Sequence, residues 1–245
     1  MTTLRERIRT AELERARRYF SPGAKVLEIG GGPGYQAAIL SSWGMDVTSL
    51  DVVAATAAHH PVQIFDGRTI PFPGESLDAV FSSNVLEHVE DVEALLGEAA
   101  RVLKADGVMV HVLPSATWRW WTSVAHYAWV VLSVILRRPN PEAPDAAPRR
   151  PRSPLNLLRF AWLIAFPHAH GVYSSAAAEQ YCYSRFRWKR LFESCGLEVL
   201  DVRPAGVFYT AFKIFASMDV PRRTRLARLL GSSCLIYVLR RAPAR

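Results

Sequence analysis

Four glycines and an acid are concentrated in one short stretch, Glu28-Ile29-Gly30-Gly31-Gly32-Pro33-Gly34, between a short apolar run and a helical pattern. Glycines at such a bend reach positive φ angles and let a ligand touch backbone where a Cβ would clash. The spacing argues against two phosphate cradles. A dinucleotide fingerprint begun at Gly30 and Gly32 would need its third glycine where Tyr35 stands, and no Gly-Lys-Ser/Thr follows for a P-loop. The pattern E-x-G-x-G-x-G suits a ligand without a pyrophosphate. Farther on, Asp51 ends the next apolar run, where a carboxylate can accept both hydroxyls of a ribose. Asp66-Gly67 follows a third run and sets another carboxylate at the same level, within reach of an exocyclic amino group. Together these features point to a nucleoside carrying adenine. Glu28 is read either as a direct ligand or as a buried hydrogen-bonding support of the loop.

Such residues meet only if a scaffold aligns the strand ends. AKVLEIG (24–30) has the composition of a buried strand, YQAAILSSWG (35–44) reads as a helix stopped at Gly44, and DVTSLDV (46–52) as the next strand. Short strands over 63–65 and 77–82, a helix over 91–103 and a strand over 107–113 continue the alternation. This βαβα rhythm predicts an α/β fold with a parallel sheet covered by helices on both faces. Ahead of it, residues 3–20 read as an amphipathic helix with Leu4, Ile8, Ala11, Arg15 and Arg18 at helical spacing, capped by Thr2 or Thr3. After a break at Pro114, order returns with a helix over 184–196, a strand over 197–203, a helix over 221–231 and a last strand over 232–241.

The segments VLEIGGGPG, VTSLDV, FDGRTIPFPGESLDAVFSSNVLEHVEDVEALLGEAARVLKADG and SRFRWKRLFESCGLEVLDV together resemble the class I S-adenosylmethionine-dependent methyltransferases, and among them the type 11 group. The resemblance covers residues 24–114 and 183–203. It implies a doubly wound, seven-stranded, mostly parallel Rossmann-like sheet whose final strand, near 235–239, is inserted antiparallel. It implies S-adenosyl-L-methionine as cofactor, with Gly30, Gly32 and Gly34 beside the methionine moiety and Glu28 next to them. Asp51 would hold the ribose, Asp66 and Gly67 the adenine, and Asn84 would lie along the methionine side.

Methyl transfer from a sulfonium is an in-line displacement, so such an enzyme chiefly aligns its reactants. A hydroxyl acceptor gains from a base, and His88, preceded by Glu87, is the expected general base. Glu87, His170 and Tyr183 are expected acceptor contacts, with Gly171 beside them, on the strength of the resemblance. The [D/N/S]-P-P-[Y/F/W] stretch of enzymes that methylate nucleobase amines is missing from Ser83-Asn84-Val85-Leu86, which argues against nucleic acid. His168 and His170, lacking an acid or cysteine nearby in sequence, predict no metal site.

Residues 120–136 carry no formal charge, and Trp118, Trp120, Trp121, Tyr127 and Trp129 crowd the start of this region. As a helix they would span about 25 Å, short of a hydrocarbon core of about 30 Å. With the Pro/Arg-rich linker that follows and a second apolar stretch over 155–166, they read as a helical insertion. It would be either a lid on the domain or a pair dipping into one leaflet to reach a small, hydrophobic or lipid-linked acceptor. The expected organisation is an N-terminal helix (1–23), a cofactor-binding half (24–114), the insertion (115–170) and a C-terminal completion of the same domain (171–245).

Half of the 245 residues are apolar and 21% charged, enough for a sizeable core and unlike a disordered chain. The net charge of +8 is unevenly spread: residues 24–114 hold four basic and twelve acidic side chains, so the flanks are strongly basic. Basic flanks favour an anionic neighbour, such as a membrane surface. Three cysteines without a C-x-x-C pair predict a reduced chain, and no secretory h-region opens it, so the expectation is cytoplasmic, peripheral at the inner membrane face. The competing expectation is a non-catalytic cofactor-binding protein, or a membrane-associated partner in a biosynthetic complex.

Overall fold

The computed structural model describes residues 3–55, 59–131, 167, 169–210 and 217–243. Its centre is a sheet of seven strands: β1 (Lys25–Ile29), β2 (Asp46–Asp51), β3 (Val62–Ile64), β4 (Leu77–Ser83), β5 (Leu103–Pro114), β6 (Leu197–Pro204) and β7 (Cys234–Arg241). The strand order is β3-β2-β1-β4-β5-β7-β6. The first five run parallel, and β7 slots antiparallel between β5 and β6, as the resemblance implied. The order reverses at β1 and β4, and open α/β sheets bind ligands at such a switch point.

Side chains alternate across the strands, so each face of the sheet gathers its own core. On one face Leu27, Ile29, Leu50 and Val80 pack with α3 (Val92–Val102) and with Trp188, Leu191 and Phe192 of a helix that covers Arg185–Ser194. On the other, Val26, Phe81, Val110 and Ile236 meet Ile8, Leu13 and Ala16 of α1 (Leu4–Ala16) and Leu40 of α2 (Tyr35–Ser42). The N-terminal helix is thus part of the core. It starts at Thr3, whose hydroxyl accepts from Glu6 N–H while the Glu6 carboxylate accepts from Thr3 N–H, a reciprocal cap. It stops at Ala16 and tightens into a 3₁₀ turn over Arg17–Tyr19, short of the expected residue 20. Its buried face is Ile8, Glu12, Leu13 and Ala16. The predicted stripe does not run through Arg15 and Arg18, which are half-buried and exposed; the inward position goes instead to Glu12, whose buried carboxylate is paired at 2.7 Å with the half-buried Arg9.

After β5 comes α4 (Ala116–Val130), capped by Ser115, whose hydroxyl accepts from Trp118 N–H at 3.0 Å. It begins four residues before the expected apolar run. Trp120, Val124, Tyr127 and Val131 are exposed along it. The linker and the second apolar stretch predicted over 155–166 lie outside the described residues. Among the described residues no helix is long and apolar enough to cross a membrane. The chain returns through α5 (Ala176–Cys182), then α6 (Arg185–Ser194) before β6 and α7 (Val220–Leu230) before β7. The three cysteines are free.

Candidate active site

The bend between β1 and α2 is tied down from below. Gly30 and Gly31 donate their N–H groups to Leu50 O at 2.8 and 3.1 Å, and Gly32 donates to Asp51 Oδ2 at 2.7 Å. Gly30 and Gly32 sit at φ +75° and +53°, where other residues are strained. Their surroundings differ. A Cβ on Gly30 would lie 2.3 Å from Val85 Cγ2, whereas a Cβ on Gly32 would meet nothing within 4 Å among the described residues. Gly30 is thus demanded by packing, and Gly32 borders open space. Gly34, at φ +71°, precedes α2 in the position of a cap but offers no side chain to its first turn, so backbone N–H groups end the helix beside the loop.

Below the loop, Glu28 and Ser49 face each other across β1 and β2, and Ser49 Oγ donates to Glu28 Oε2 at 2.6 Å. Glu28 is buried, and burial pushes its carboxyl up to about 7. Of the two readings of this residue, the geometry favours the buried support. Asp51, at the tip of β2, accepts from Gly32 N–H on one oxygen and from Val53 N–H at 3.1 Å on the other. Each oxygen keeps a lone pair for a further donor. One strand over, Asp66 Oδ1 accepts the N–H groups of Thr69 and Arg68 at 2.7 and 2.8 Å, which hold this exposed carboxyl below the usual range. Gly67 follows at φ +76°.

Beyond the ends of β4 and β5 lies a cavity of about 240 Å³. Asn84, His88, Trp118, His170 and Tyr209 line it, and α1 closes it with Arg5, Ile8 and Arg9. Asn84 takes a left-handed φ of +56° as its N–H donates to Val112 O at 2.8 Å, and Tyr209 Oη reaches its side-chain oxygen at 3.4 Å. Arg9 Nη1 bridges Glu12 at 2.7 Å and Tyr209 Oη at 3.1 Å. The His88 side chain is 45% exposed, so a solute can reach it, and its ring centre lies 5.0 Å from that of His170. His170 in turn lies 5.0 Å from Trp118. Burial lowers the proton affinity of both imidazoles, and His88 lowers that of His170 further.

Glu87 lies beneath this pair, fully buried, and neither carboxylate oxygen has a hydrogen-bond partner among the described residues. Burial pushes its carboxyl up to about 8. His170 is fixed from behind by Glu179. That buried carboxylate meets Arg119 at 2.9 Å and accepts the N–H groups of Gly171, at 2.8 Å, and His170. Tyr183 Oη also donates to it at 3.1 Å.

The structure therefore gathers Gly30, Gly32, Gly34 and Asp51 in one place, with Asp66 and Gly67 at the adjoining strand end and Asn84, His88 and His170 around the cavity. Two of the expected acceptor contacts are not among the residues that line the cavity. Tyr183 is fully buried with its hydroxyl turned to Glu179, and Glu87 is fully buried with Oε1 3.9 Å from His88 Nε2. His170, without an acid near it in sequence, has Glu87 near it in the fold, and His168 lies outside the described residues. Sequence reasoning missed Arg9, Tyr209 and the Arg119–Glu179 lock. The i,i+3 spacing of Arg9 and Glu12 was the one local signal.

A family model described as a methyltransferase domain matches residues 2–202. Among curated proteins, the chain is 33% identical over 97 residues to the malonyl-[acyl-carrier protein] O-methyltransferase of Serratia marcescens, covering 36% of this chain and 38% of that protein. It is 31% identical over 109 residues to the ubiquinone biosynthesis O-methyltransferase of Bartonella tribocorum, covering 40% and 44%. The chain spans less than half the length of the curated relatives it matches. In fold it is similar to the crystal structure of an S-adenosylmethionine dependent methyltransferase from Mesorhizobium loti, at TM-score 0.55 and 16% identity, covering 94% of this chain and 98% of that one.

Proposed function

The chain belongs to the methyltransferase-domain family, and from that premise we propose that it uses S-adenosyl-L-methionine to methylate an oxygen of a small, hydrophobic or lipid-linked acceptor. One observation carries the reading: among the described residues Gly32 borders open space while its N–H is held by Asp51, which leaves a side-chain-free ledge with an acid at its rim. That ledge fits an adenosyl ligand. Gly30, Gly32 and Gly34 would flank its methionine portion, with Asn84 alongside, Asp51 on the ribose and Asp66 with Gly67 on the adenine. Glu28 supports the loop from beneath. The cofactor supplies a methyl group made electrophilic by its sulfonium.

The chain's own residues do the rest. His88 opens on the cavity, and burial keeps its imidazole neutral near pH 7, so a ring nitrogen can take the proton of an acceptor hydroxyl. Ile8, Pro114 and Trp118 give that cavity apolar walls, which hold an apolar acceptor and exclude water. Two relatives are named as O-methyltransferases, which favours oxygen. The exposed aromatic and aliphatic side chains of α4 favour an acceptor delivered on a lipid or at a membrane surface.

Calorimetry with S-adenosylhomocysteine, followed by turnover with hydroxylated apolar acceptors, tests the reading. Binding that Asp51→Ala weakens, together with methyl transfer to oxygen, is expected. Absence of binding overturns the reading, and binding without turnover on any acceptor leaves a cofactor-binding protein.

A further inference from the structure

Glu87, His88 and His170 are brought together from two distant parts of the chain, and their ligating atoms all lie within 4.8 Å of one another. Glu87 Oε1 is 3.9 Å from His88 Nε2. The Glu87 carboxylate is fully buried, and both of its oxygens lack a hydrogen-bond partner among the described residues. A buried polar group left without a partner is costly, and such sites are commonly completed by water or an ion. The two rings have no hydrogen bond from either nitrogen among the described residues, so their lone pairs are uncommitted.

We propose that Glu87, His88 and His170 form a binding site for a zinc-type divalent cation at the floor of the acceptor cavity. Two imidazoles and one carboxylate are a donor set for borderline-soft divalent metals rather than for magnesium or calcium, which prefer oxygen alone. Three protein ligands leave a position open towards the cavity, as in sites that bind a further molecule. Ligands about 2.1 Å from a tetrahedral ion stand roughly 3.4 Å apart, so closing the site takes about an ångström of movement. His88 and His170 can supply it by side-chain rotation, since both are exposed.

The far end of the site is already rigid. The backbone N–H of His170 is held by Glu179, Glu179 is locked by Arg119, and Val172 N–H donates to Glu87 O at 3.1 Å. These bonds fasten the return of the chain onto the turn that carries Glu87 and His88. Supports of this kind orient metal ligands.

A bound ion would draw an acceptor hydroxyl or enol into its open position and lower that group's pKa, its proton leaving to solvent through the cavity mouth. In that state His88 is a ligand, and the proton-accepting role assigned above belongs to the ion-free protein. The consequence for acceptors rests on the methyl-transfer reading, whereas the site itself rests on the three side chains.

The test uses the full chain, stripped with a chelator and titrated with Zn²⁺ by calorimetry and with Co²⁺ by visible absorption. One equivalent of each is expected, with a Co²⁺ band of low-coordinate type. Glu87→Gln and His170→Gln should each weaken Zn²⁺ by about tenfold or more and erase the band. His170 is exposed, so its variant tests the site even if Glu87→Gln does not fold. No Co²⁺ band in the wild type, or variants that bind like wild type, overturns the proposal. S-adenosylhomocysteine affinity measured in chelator on the same samples separates the two readings: where the ion fails to bind and this affinity is retained, the metal proposal alone falls and the methyltransferase reading stands.

Discussion

The backbone N–H of Gly32 lies 2.7 Å from the Asp51 carboxylate, so the residue at the tip of β2 both fastens the glycine bend and presents its remaining lone pairs beside it. Asp51→Asn keeps the shape and loses the charge. Hydrogen bonds to charged groups contribute about 1.5 to 3 kcal/mol. The variant should therefore bind S-adenosylhomocysteine roughly tenfold to a hundredfold more weakly by calorimetry, and its melting temperature should fall as well, because the new amide nitrogen faces one of the two backbone N–H groups, Gly32 or Val53, that the carboxylate accepts.

Two glycines in the same bend should fail differently. Gly30→Ala adds a methyl 2.3 Å from Val85, a β-branched side chain with little rotamer freedom, at a positive φ. It should lower stability by about 3 kcal/mol in urea unfolding. Gly32→Ala meets no atom of the described residues, so it should cost only about 1 to 2 kcal/mol of backbone strain. Its larger effect should be on cofactor affinity, because the new methyl stands on the ledge.

His88→Ala separates binding from chemistry. The side chain lies on the cavity and makes no hydrogen bond among the described residues, so its removal should leave S-adenosylhomocysteine affinity within about threefold. Turnover on a hydroxyl acceptor should fall by roughly a hundredfold or more, the usual contribution of a positioned base. An unchanged rate removes His88 from the reaction.

Arg119 and Glu179 are both almost wholly excluded from water. Arg119→Met leaves a buried carboxylate without its cation, which costs about 3 to 5 kcal/mol in comparable cases. Urea unfolding should show that loss. The double variant Arg119→Met, Glu179→Gln should recover most of it, because the stranded charge is gone.

Stability should also depend on pH through Glu28. Its carboxyl titrates near 7 in the folded chain against 4.5 when free. Between those values the unfolded chain gives up the proton and the folded chain keeps it, so stability falls as pH rises through the window and is unaffected by this group below it. Glu28→Gln removes the titration and retains an acceptor for Ser49. Compared with wild type in urea between pH 5 and pH 8, the variant should gain progressively, by at most about 3 kcal/mol.

Local rules made much of the sheet legible. The alternation of apolar runs and helical patterns located β1 to β5 and α2 to α3 within a few residues, since each strand and its helix are stabilised by neighbours close in sequence. The bend and its acids were readable for the same reason, because glycine and aspartate at strand ends answer backbone geometry that only a few residues determine. The antiparallel β7 was foreseen through resemblance rather than periodicity. The cavity was much less legible. Its walls come from α1, the β4 and β5 ends, and residues 170 and 209, and no local pattern predicts that Arg9 will meet Tyr209 or that Arg119 will meet Glu179. Burial of Glu87, expected as an acceptor contact, was equally hidden, since nothing near it in sequence signals the chain that returns over it.

The antiparallel placement of β7 has a kinetic side. On an emerging polypeptide, β1 through β5 can join as each appears, but β6 has no strand to join among those already made, because its neighbour in the sheet is β7. Until residues 234–241 leave the ribosome, the outer margins of β5 and β6 are both unzipped and adhesive to other chains. Nascent copies halted near Gly231 should accordingly depend on chaperones, whereas the addition of one further strand closes both seams at once.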